Sequence, residues 1–266
     1  MLERFPVDAN DFDGPVLVTG AGGCIGSWVL ALLTRAGVPV VAFDLSPDKR
    51  RPRLLLDDLT LNGVTWITGD ISKTEDVSKA VENSNANAII HLAALQVPFC
   101  AADPVHGARV NVVGTVNVFE AARHKNLKRV TYASSVAAHG IPSDNPFLAT
   151  LYGAYKVCDE AIARVYGQDW GLPSIGLRPS IVYGVGRDQG MSAKPTSALL
   201  AAAAGMAYTV PFSGPMGALH AGEVASAFIK AVSKEREETA VFDINGVSTS
   251  VEQWVEILHR AQPEAR

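Results

Sequence analysis

Ser135, Tyr152 and Lys156 are the residues of this chain whose types and spacing point to chemistry. In Leu151-Tyr152-Gly153-Ala154-Tyr155-Lys156-Val157 the phenol and the amine stand one helical turn apart, so on a helix both rise from the same face. A free tyrosine titrates near roughly 10, and a cation within a few ångströms favours its phenolate. A tyrosine poised in this way takes a proton from an alcohol as hydride leaves its carbon, or returns one to a carbonyl as hydride arrives. Half-buried tyrosines and surface lysines are common on helices, so the pair acquires meaning only from the elements that place it.

Those elements begin with Pro15-Val16-Leu17-Val18-Thr19, a short apolar run of the kind buried on both faces of a parallel sheet. It runs into Gly20-Ala21-Gly22-Gly23-Cys24-Ile25-Gly26, after which Ile25, Val29, Leu30, Leu32 and Leu33 keep helical spacing up to Gly37. Strand, glycine loop and helix in this order form a cradle for a pyrophosphate: glycines permit close backbone approach, and the helix start offers free N–H groups. The next strand, residues 38–43, ends at Asp44, where a carboxylate can accept hydrogen bonds from an adenosine ribose. That favours NAD. A 2′-phosphate would meet the charge of Asp44, although Lys49, Arg50 and Arg51 keep NADP open.

The alternation continues through a strand at residues 64–67, a helix at 74–83 and a buried strand at 88–92 that ends in Ala93-Ala94. Asp103-Pro104 reads as an N-cap and first helical residue, opening a long helix that runs through Asn111 to His124. A strand at residues 128–133 places Ser134-Ser135 at its carboxyl end, where open α/β sheets bind ligands; a turn serine is the alternative. The fold expected is α/β, a Rossmann-type doubly wound parallel sheet with a small C-terminal substrate-binding region.

Composition agrees with one such unit. The chain has 266 residues, a formal charge of −4, 48% hydrophobic and 19% charged residues, which suits a large α/β domain or a nucleotide-binding domain with a small appendage. A mild acidic balance gives no electrostatic ground for a nucleic-acid or anionic-membrane partner. Cys24, Cys100 and Cys158, odd in number and without metal-ligand spacing, read as buried small residues in a reducing compartment, with no metal site. Residues 1–14 lack the basic start and apolar run of a signal peptide, and residues 198–212 are interrupted by Gly205, Tyr208 and Pro211. A cytoplasmic protein is expected.

Taken together, these motifs resemble the extended, sugar-epimerase-like branch of the short-chain dehydrogenase/reductase superfamily, the NAD-dependent epimerase/dehydratase family. Thr19-Gly20-Ala21-Gly22-Gly23-Cys24-Ile25-Gly26 is similar to its TGxxGxxG loop, His91-Leu92-Ala93-Ala94 to its hLAA strand end, and Tyr152 with Lys156 to its YxxxK pair. Asn111-Val112-Val113-Gly114-Thr115 resembles the NvxGT motif, Tyr132-Ala133-Ser134-Ser135 the serine motif, and Leu177-Arg178-Pro179-Ser180-Ile181-Val182-Tyr183-Gly184 the LRPxxVYG strand. The resemblance implies that Tyr152 is the general acid or base, that Lys156 binds the nicotinamide ribose and favours the phenolate, and that Ser135 bonds the reacting oxygen. It further implies cofactor contacts at Gly20, Gly23, Cys24, Ile25 and Gly26, with Asp44 on the ribose, Asp70 and Ile71 about adenine, and Leu92, Ala93, Ala94, Asn111 and Pro179 along the crevice. Tyr155 departs from the serine or threonine usual before the lysine.

Three absences narrow the chemistry. Val136-Ala137 stands where 4,6-dehydratases of the family carry Asp-Glu, Ile181 where many nucleotide-sugar enzymes place a diphosphate-binding asparagine, and no arginine precedes His220 in residues 214–218. A diphosphate with neither ligand would leave buried charge poorly paired. With a short span between Ser135 and Tyr152, these point to a small pocket. The activity expected is NAD-dependent oxidation or reduction of a hydroxyl or keto group on a small sugar, sugar acid or polyol. The alternatives are a (nucleotide-)sugar epimerase with a tightly held cofactor and a non-catalytic dinucleotide sensor, the latter disfavoured by retention of Ser135, Tyr152 and Lys156. Gln96, Ser135, His139 and Arg187 are candidate substrate contacts; a surface arginine paired with Asp188 is the other reading of Arg187, and His220 reads as structural.

Residues 1–176 are expected to form the NAD-binding domain and residues 177–266 a small, mainly helical region packed on it. Helical spacing recurs at 196–205, 223–233 and from Ser250, with a strand at 240–244 between them. The resemblance implies a homodimer through the helices bearing Asn111 and Tyr152, and relatives often continue past the last helix, so the expectation is either that part of the usual substrate cap is absent or that the sequence stops short of it.

Overall fold

The computed structural model describes residues 1–140, 143–144 and 149–265; part of the span between Ser135 and Tyr152 lies outside them. The first strand, β1 (Val16–Thr19), has every side chain buried, as a strand covered on both faces requires. A glycine turn follows and then α1 (Cys24–Arg35), β2 (Val40–Asp44), α2 (Asp58–Asn62), β3 (Thr65–Thr68), α3 (Thr74–Ser84) and β4 (Ala88–His91). Beyond it come α4 (Val97–Ala102), α5 (Pro104–Ala108), a π turn at Arg109–Val113, α6 (Gly114–His124) and β5 (Val130–Ala133). The chain continues with α7 (Leu151–Trp170), β6 (Ile175–Pro179), β7 (Ile181–Tyr183), α8 (Lys194–Ala203), β8 (Pro215–His220), α9 (Ala221–Val232), β9 (Ala240–Ile244), β10 (Val247–Ser250) and α10 (Val251–Ala261).

Seven parallel strands form the main sheet in the order β3-β2-β1-β4-β5-β6-β9. The winding reverses between β1 and β4, and such a reversal opens a ligand crevice at the carboxyl ends of the strands. Register sets Thr19 level with Phe43 on one side and His91 on the other, so the glycine turn begins beside the end of β4. On one face α1 and α9 bury Trp28, Leu30, Leu33, Val224 and Phe228; on the other, α3, α6 and α7 bury Val81, Phe119 and Tyr166 against Ile89 and Tyr132. Full burial of each large side chain stabilises the fold by about 1.5–3 kcal/mol.

Three features differ from the sequence reading. The long helix expected from Pro104 does run on to His124, capped by Asp103, which accepts the His106 N–H at 3.0 Å, but it contains one π turn, Arg109–Val113, which carries Asn111. A helix that was not expected, α4, precedes it. The LRPxxVYG segment divides at Ser180: β6 stays in the main sheet, whereas β7 joins a second sheet with β8 and β10. Residues 177–266 therefore build that second sheet and also return α9 and β9 to the main layer system. Among the described residues no helix is long and apolar enough to cross a membrane.

Candidate active site

The glycine turn is shaped by backbone contact. Gly20 has φ +68°, and a Cβ there would lie 2.7 Å from the Ala93 nitrogen; a Cβ on Gly26 would collide with the Gly20 carbonyl. Only glycine satisfies both the left-handed backbone and the close approach. Gly22 donates its N–H to Asp44 Oδ2 at 2.9 Å, so the acid at the end of β2 stands against the loop. Gly23 caps α1 without a side-chain hydrogen bond, which leaves the first-turn N–H groups facing the loop. These features fit a pyrophosphate.

The segment 184–190 sits on the same helix end. The carbonyl of Val185 accepts from Trp28 Nε1 at 2.9 Å, and Arg51 reaches Asp188 at 2.8 Å while donating to the Gly22 carbonyl at 3.2 Å. Burial pushes the Cys24 thiol up to about 11 against the nearby Arg187 and Arg51, so it is a neutral packing group there. Arg187 does not pair with its neighbour Asp188. Its Nη2 donates to Ser192 Oγ at 2.9 Å, and its Nε is buried with no partner among the described residues. Gln96 lies against Gly190, where a Cβ would overlap its Oε1, so Gln96 and Arg187 come to the same place.

Tyr152 and Lys156 rise from α7 as the spacing requires. Thr150 caps this helix by accepting the Gly153 N–H at 3.0 Å, and a Cβ on Gly153 would stand 2.5 Å from the Ala137 carbonyl. The first turn of α7 thus lies directly against the turn Val136–Gly140, whose preceding residue, Ser135, accepts the Ala137 N–H at 3.1 Å. Lys156 Nζ is 5.8 Å from the Tyr152 ring centre and donates to Asp159 Oδ2 at 3.0 Å. The Lys156 and Asp159 side chains are 3% and 0% exposed. Burial alone would drive the ammonium to lose its proton; the Asp159 carboxylate beside it reverses that, and Lys156 holds its proton more firmly than an ordinary lysine.

Asp159 has no counterpart in the sequence reading, nor does the network next to it. Glu160 takes both ends of the Arg178 guanidinium, at 2.7 and 2.6 Å, and also bonds Ser134. Arg178 continues to Asp243 at 3.4 Å, and Asp243 lies 2.8 Å from His139 Nε2. This chain of contacts fastens α7 to β5, β6 and β9. His139, expected as a substrate contact, is engaged in it. The available signal was Asp159-Glu160, two consecutive acids on a helix that must pack against a sheet.

The remaining candidates support the crevice walls. Asn111 is fully buried: its Oδ1 accepts from Leu95 N at 3.0 Å and its Nδ2 donates to the Leu95 carbonyl and Cys100 Sγ, so it holds segment 95–100 in place. His91, which the sequence reading gave no role, lies 2.7 Å from Thr19 Oγ1 and 3.2 Å from Thr115 Oγ1. Thr115 donates to the Asn111 carbonyl at 2.7 Å, so His91 Nε2 carries the ring proton and Nδ1 accepts from Thr19. Burial, with Lys156 adding to it, holds His91 down at about 3. Thr19 in turn accepts from the Leu92 and Ala93 N–H groups, which seats Ala93 beside Gly20. Asp70 ties its turn through Ser72, Ile71 is buried under Gly114, and Pro179 ends β6 in a buried position. His220 caps α9 and stacks on Phe5, a structural place as expected. Among the described residues no group of three or more His, Cys, Asp or Glu side chains is arranged to hold a metal.

Comparisons with known proteins follow the same lines. UDP-glucuronate 4-epimerase 4 of Arabidopsis thaliana is 33% identical over 184 residues, 64% of this chain and 42% of that one. Protein CapI of Staphylococcus aureus is 32% identical over 181 residues, 64% of this chain and 54% of its own. The chain thus spans about half the length of these curated relatives. Among solved structures, the UDP-glucose 4-epimerase of Thermus thermophilus in complex with NAD superposes with a TM-score of 0.78 at 25% identity, covering 95% of this chain and 85% of that one. An L-threonine dehydrogenase from Cupriavidus necator gives 0.81 at 22% identity over 95% and 84%, which speaks to fold alone. A family model covers residues 16–245, and by that match the chain belongs to the NAD dependent epimerase/dehydratase family.

Proposed function

We propose that this protein binds NAD and moves hydride to or from a hydroxyl-bearing carbon of a small sugar, sugar acid or polyol, with Tyr152, Lys156 and Ser135 handling the proton. The observation that carries this reading is the placement of Tyr152 beside a buried, protonated Lys156 on a helix whose first turn lies against the Ser135 turn. NAD, when bound, supplies the hydride acceptor, and its reduced form the hydride donor for the reverse direction. Tyr152 takes the hydroxyl proton or returns it, Ser135 bonds the same oxygen, and Lys156 directs its remaining N–H donors to the nicotinamide ribose. Gly20, Gly23, Cys24, Ile25 and Gly26 hold the pyrophosphate, Asp44 the ribose, Asp70 and Ile71 the adenine, and Leu92, Ala93, Ala94 and Pro179 line the path. Asn111 acts through segment 95–100.

NAD is favoured over NADP because the three nearby cations are engaged: Lys49 lies over Trp66, Arg50 pairs Asp48 and Arg51 pairs Asp188. Gln96 and Arg187, brought together at Gly190, support a substrate with a polar or carboxylate end. Exposed Val113, Leu151, Val157, Val165 and Trp170 on and beside α6 and α7 support a homodimer through those helices, and the compartment proposed is the cytoplasm. Epimerisation is the second reading, favoured by the 4-epimerases among the relatives.

The test is a screen of free sugars, uronic and aldonic acids and polyols with purified protein and NAD, read by absorbance of reduced cofactor. Turnover that Tyr152→Phe abolishes is expected. Product inverted at one carbon with no net reduced cofactor selects the epimerase. NAD binding without turnover on any substrate selects the sensor.

A further inference from the structure

Asp159 is a buried carboxyl group, in contact with Lys156, that the scheme above leaves without a task. It is not part of the Glu160–Arg178–Asp243 network, and its Oδ1 has no hydrogen-bond partner among the described residues. The Thr115 hydroxyl is its other polar neighbour but gives its proton to the Asn111 carbonyl, so a carboxyl at 0% exposure is poorly satisfied on that side, and burial raises it against the pull of Lys156. Its one strong contact is the Lys156 ammonium, one helical turn earlier on the same face of α7. The rest of the pair's surroundings carry little charge. Cys100 from α4 and His91 from β4 are neutral, Thr115 from α6 is a hydroxyl, and Glu160 on α7 is matched by Arg178 from β6. Tyr152 is the other titratable neighbour of Lys156.

Resting on the reading of Tyr152 and Lys156 as the proton-handling pair, we propose that Asp159 is a positioning residue that tethers the Lys156 ammonium and offsets its charge, so that Tyr152 feels only part of the lysine's field. A cation alone beside a phenol favours phenolate strongly; the same cation in contact with a carboxylate presents a dipole, whose influence falls faster with distance. The tether also spends one of the three ammonium N–H donors and fixes the direction of the other two. The consequence is that removal of the Asp159 charge would expose Tyr152 to the whole field of the lysine.

Tyrosinate absorbance tests this without any substrate. Wild type, Asp159→Asn and Asp159→Glu are each titrated against the same protein carrying Tyr152→Phe, so that the difference isolates Tyr152. The midpoint is expected to fall by about one pH unit in Asp159→Asn and to return in Asp159→Glu. In the NAD-dependent reaction the acid limb of kcat/KM against pH is expected to move the same way, with a much smaller change in kcat. An unchanged or raised midpoint in folded Asp159→Asn overturns the proposal. Asp159→Ser is a second neutral variant; if neither neutral variant keeps the wild-type circular dichroism, Asp159 serves only the fold and the proposal falls. A shifted titration in a protein that turns over no sugar supports the tether and overturns the hydride-transfer reading instead.

Discussion

Two ion pairs of nearly equal length stand on opposite sides of the crevice. Lys156 and Asp159 meet at 3.0 Å with side chains 3% and 0% exposed; Arg51 and Asp188 meet at 2.8 Å with side chains 18% and 52% exposed. In water two unit charges about 4 Å apart attract by about 1 kcal/mol, and by about 4 kcal/mol at the effective dielectric of a protein. The dry pair carries a desolvation cost in addition, so its worth appears when one partner is removed and the other is stranded. The wet pair has water as a substitute partner. The dry pair therefore fixes a charge state beside Tyr152, whereas the wet pair helps hold segment 184–190 on the glycine loop.

The largest expected effect removes the group that the dry pair serves while leaving both pairs intact. Tyr152→Phe should lower kcat/KM by about 10²–10⁴-fold, the span of a positioned general acid or base, with an unfolding midpoint close to wild type. A variant that unfolds earlier instead would make Tyr152 a packing residue. Next comes Lys156→Met, which strands the Asp159 carboxylate and should cost about 3–5 kcal/mol in denaturant unfolding; Lys156→Met with Asp159→Leu should recover most of it. A single variant within about 1 kcal/mol of wild type would remove the distinction between the two pairs.

The difference between these regions also marks what the sequence makes legible. The strand, glycine turn and helix leading to Asp44 are read directly, because an apolar run, glycine spacing and helical periodicity are local signals. Tyr152 and Lys156 share a face for the same reason. Glu160 and Arg178 are 18 residues apart, Arg178 and Asp243 65, and His139 and Asp243 104, and no local pattern announces such contacts. Arg187 and Asp188 show the converse. Adjacency suggests a pair, yet Asp188 meets Arg51, 137 residues away, because neighbouring side chains in a loop diverge while folding brings a distant one into place. The second sheet was missed because β7 continues the apolar pattern of β6 and only the break at Ser180 separates them.

His91 extends the contrast to pH. It is fully buried near Lys156 and held at about 3, against an ordinary 6.5, so it is neutral in the fold and gains a proton on unfolding. The unfolded chain then binds more protons at any pH between those values. Its contribution is complete above 6.5 and is lost as pH falls toward 3, with a slope approaching about 1.4 kcal/mol per pH unit. Denaturant unfolding across that window should show the decline, and His91→Gln should flatten it in part. His220, also held down by burial, adds to the same slope. Glu120, lowered to about 2 chiefly by Arg123, acts at more acid pH, below its ordinary 4.5. A variant with the wild-type slope would mean that His91 is protonated in the folded chain.

The smallest effect is expected from the wet pair. Arg51→Ala removes the contact with Asp188 and the bond to the Gly22 carbonyl, but leaves the Trp28 bond to the Val185 carbonyl, made by an indole with no exposed surface. Segment 184–190 should therefore stay seated, and unfolding free energy should fall by less than about 1 kcal/mol. What is lost should shrink further in molar salt, where the screening length drops to about 3 Å and exposed charges scarcely sense one another. Lys156→Met supplies the internal control, since a pair shielded from ions should keep most of its cost in the same salt. A loss on Arg51→Ala as large as the roughly 3–5 kcal/mol expected for the buried pair, and equally indifferent to salt, would mean that burial is not what separates the two sides of the crevice.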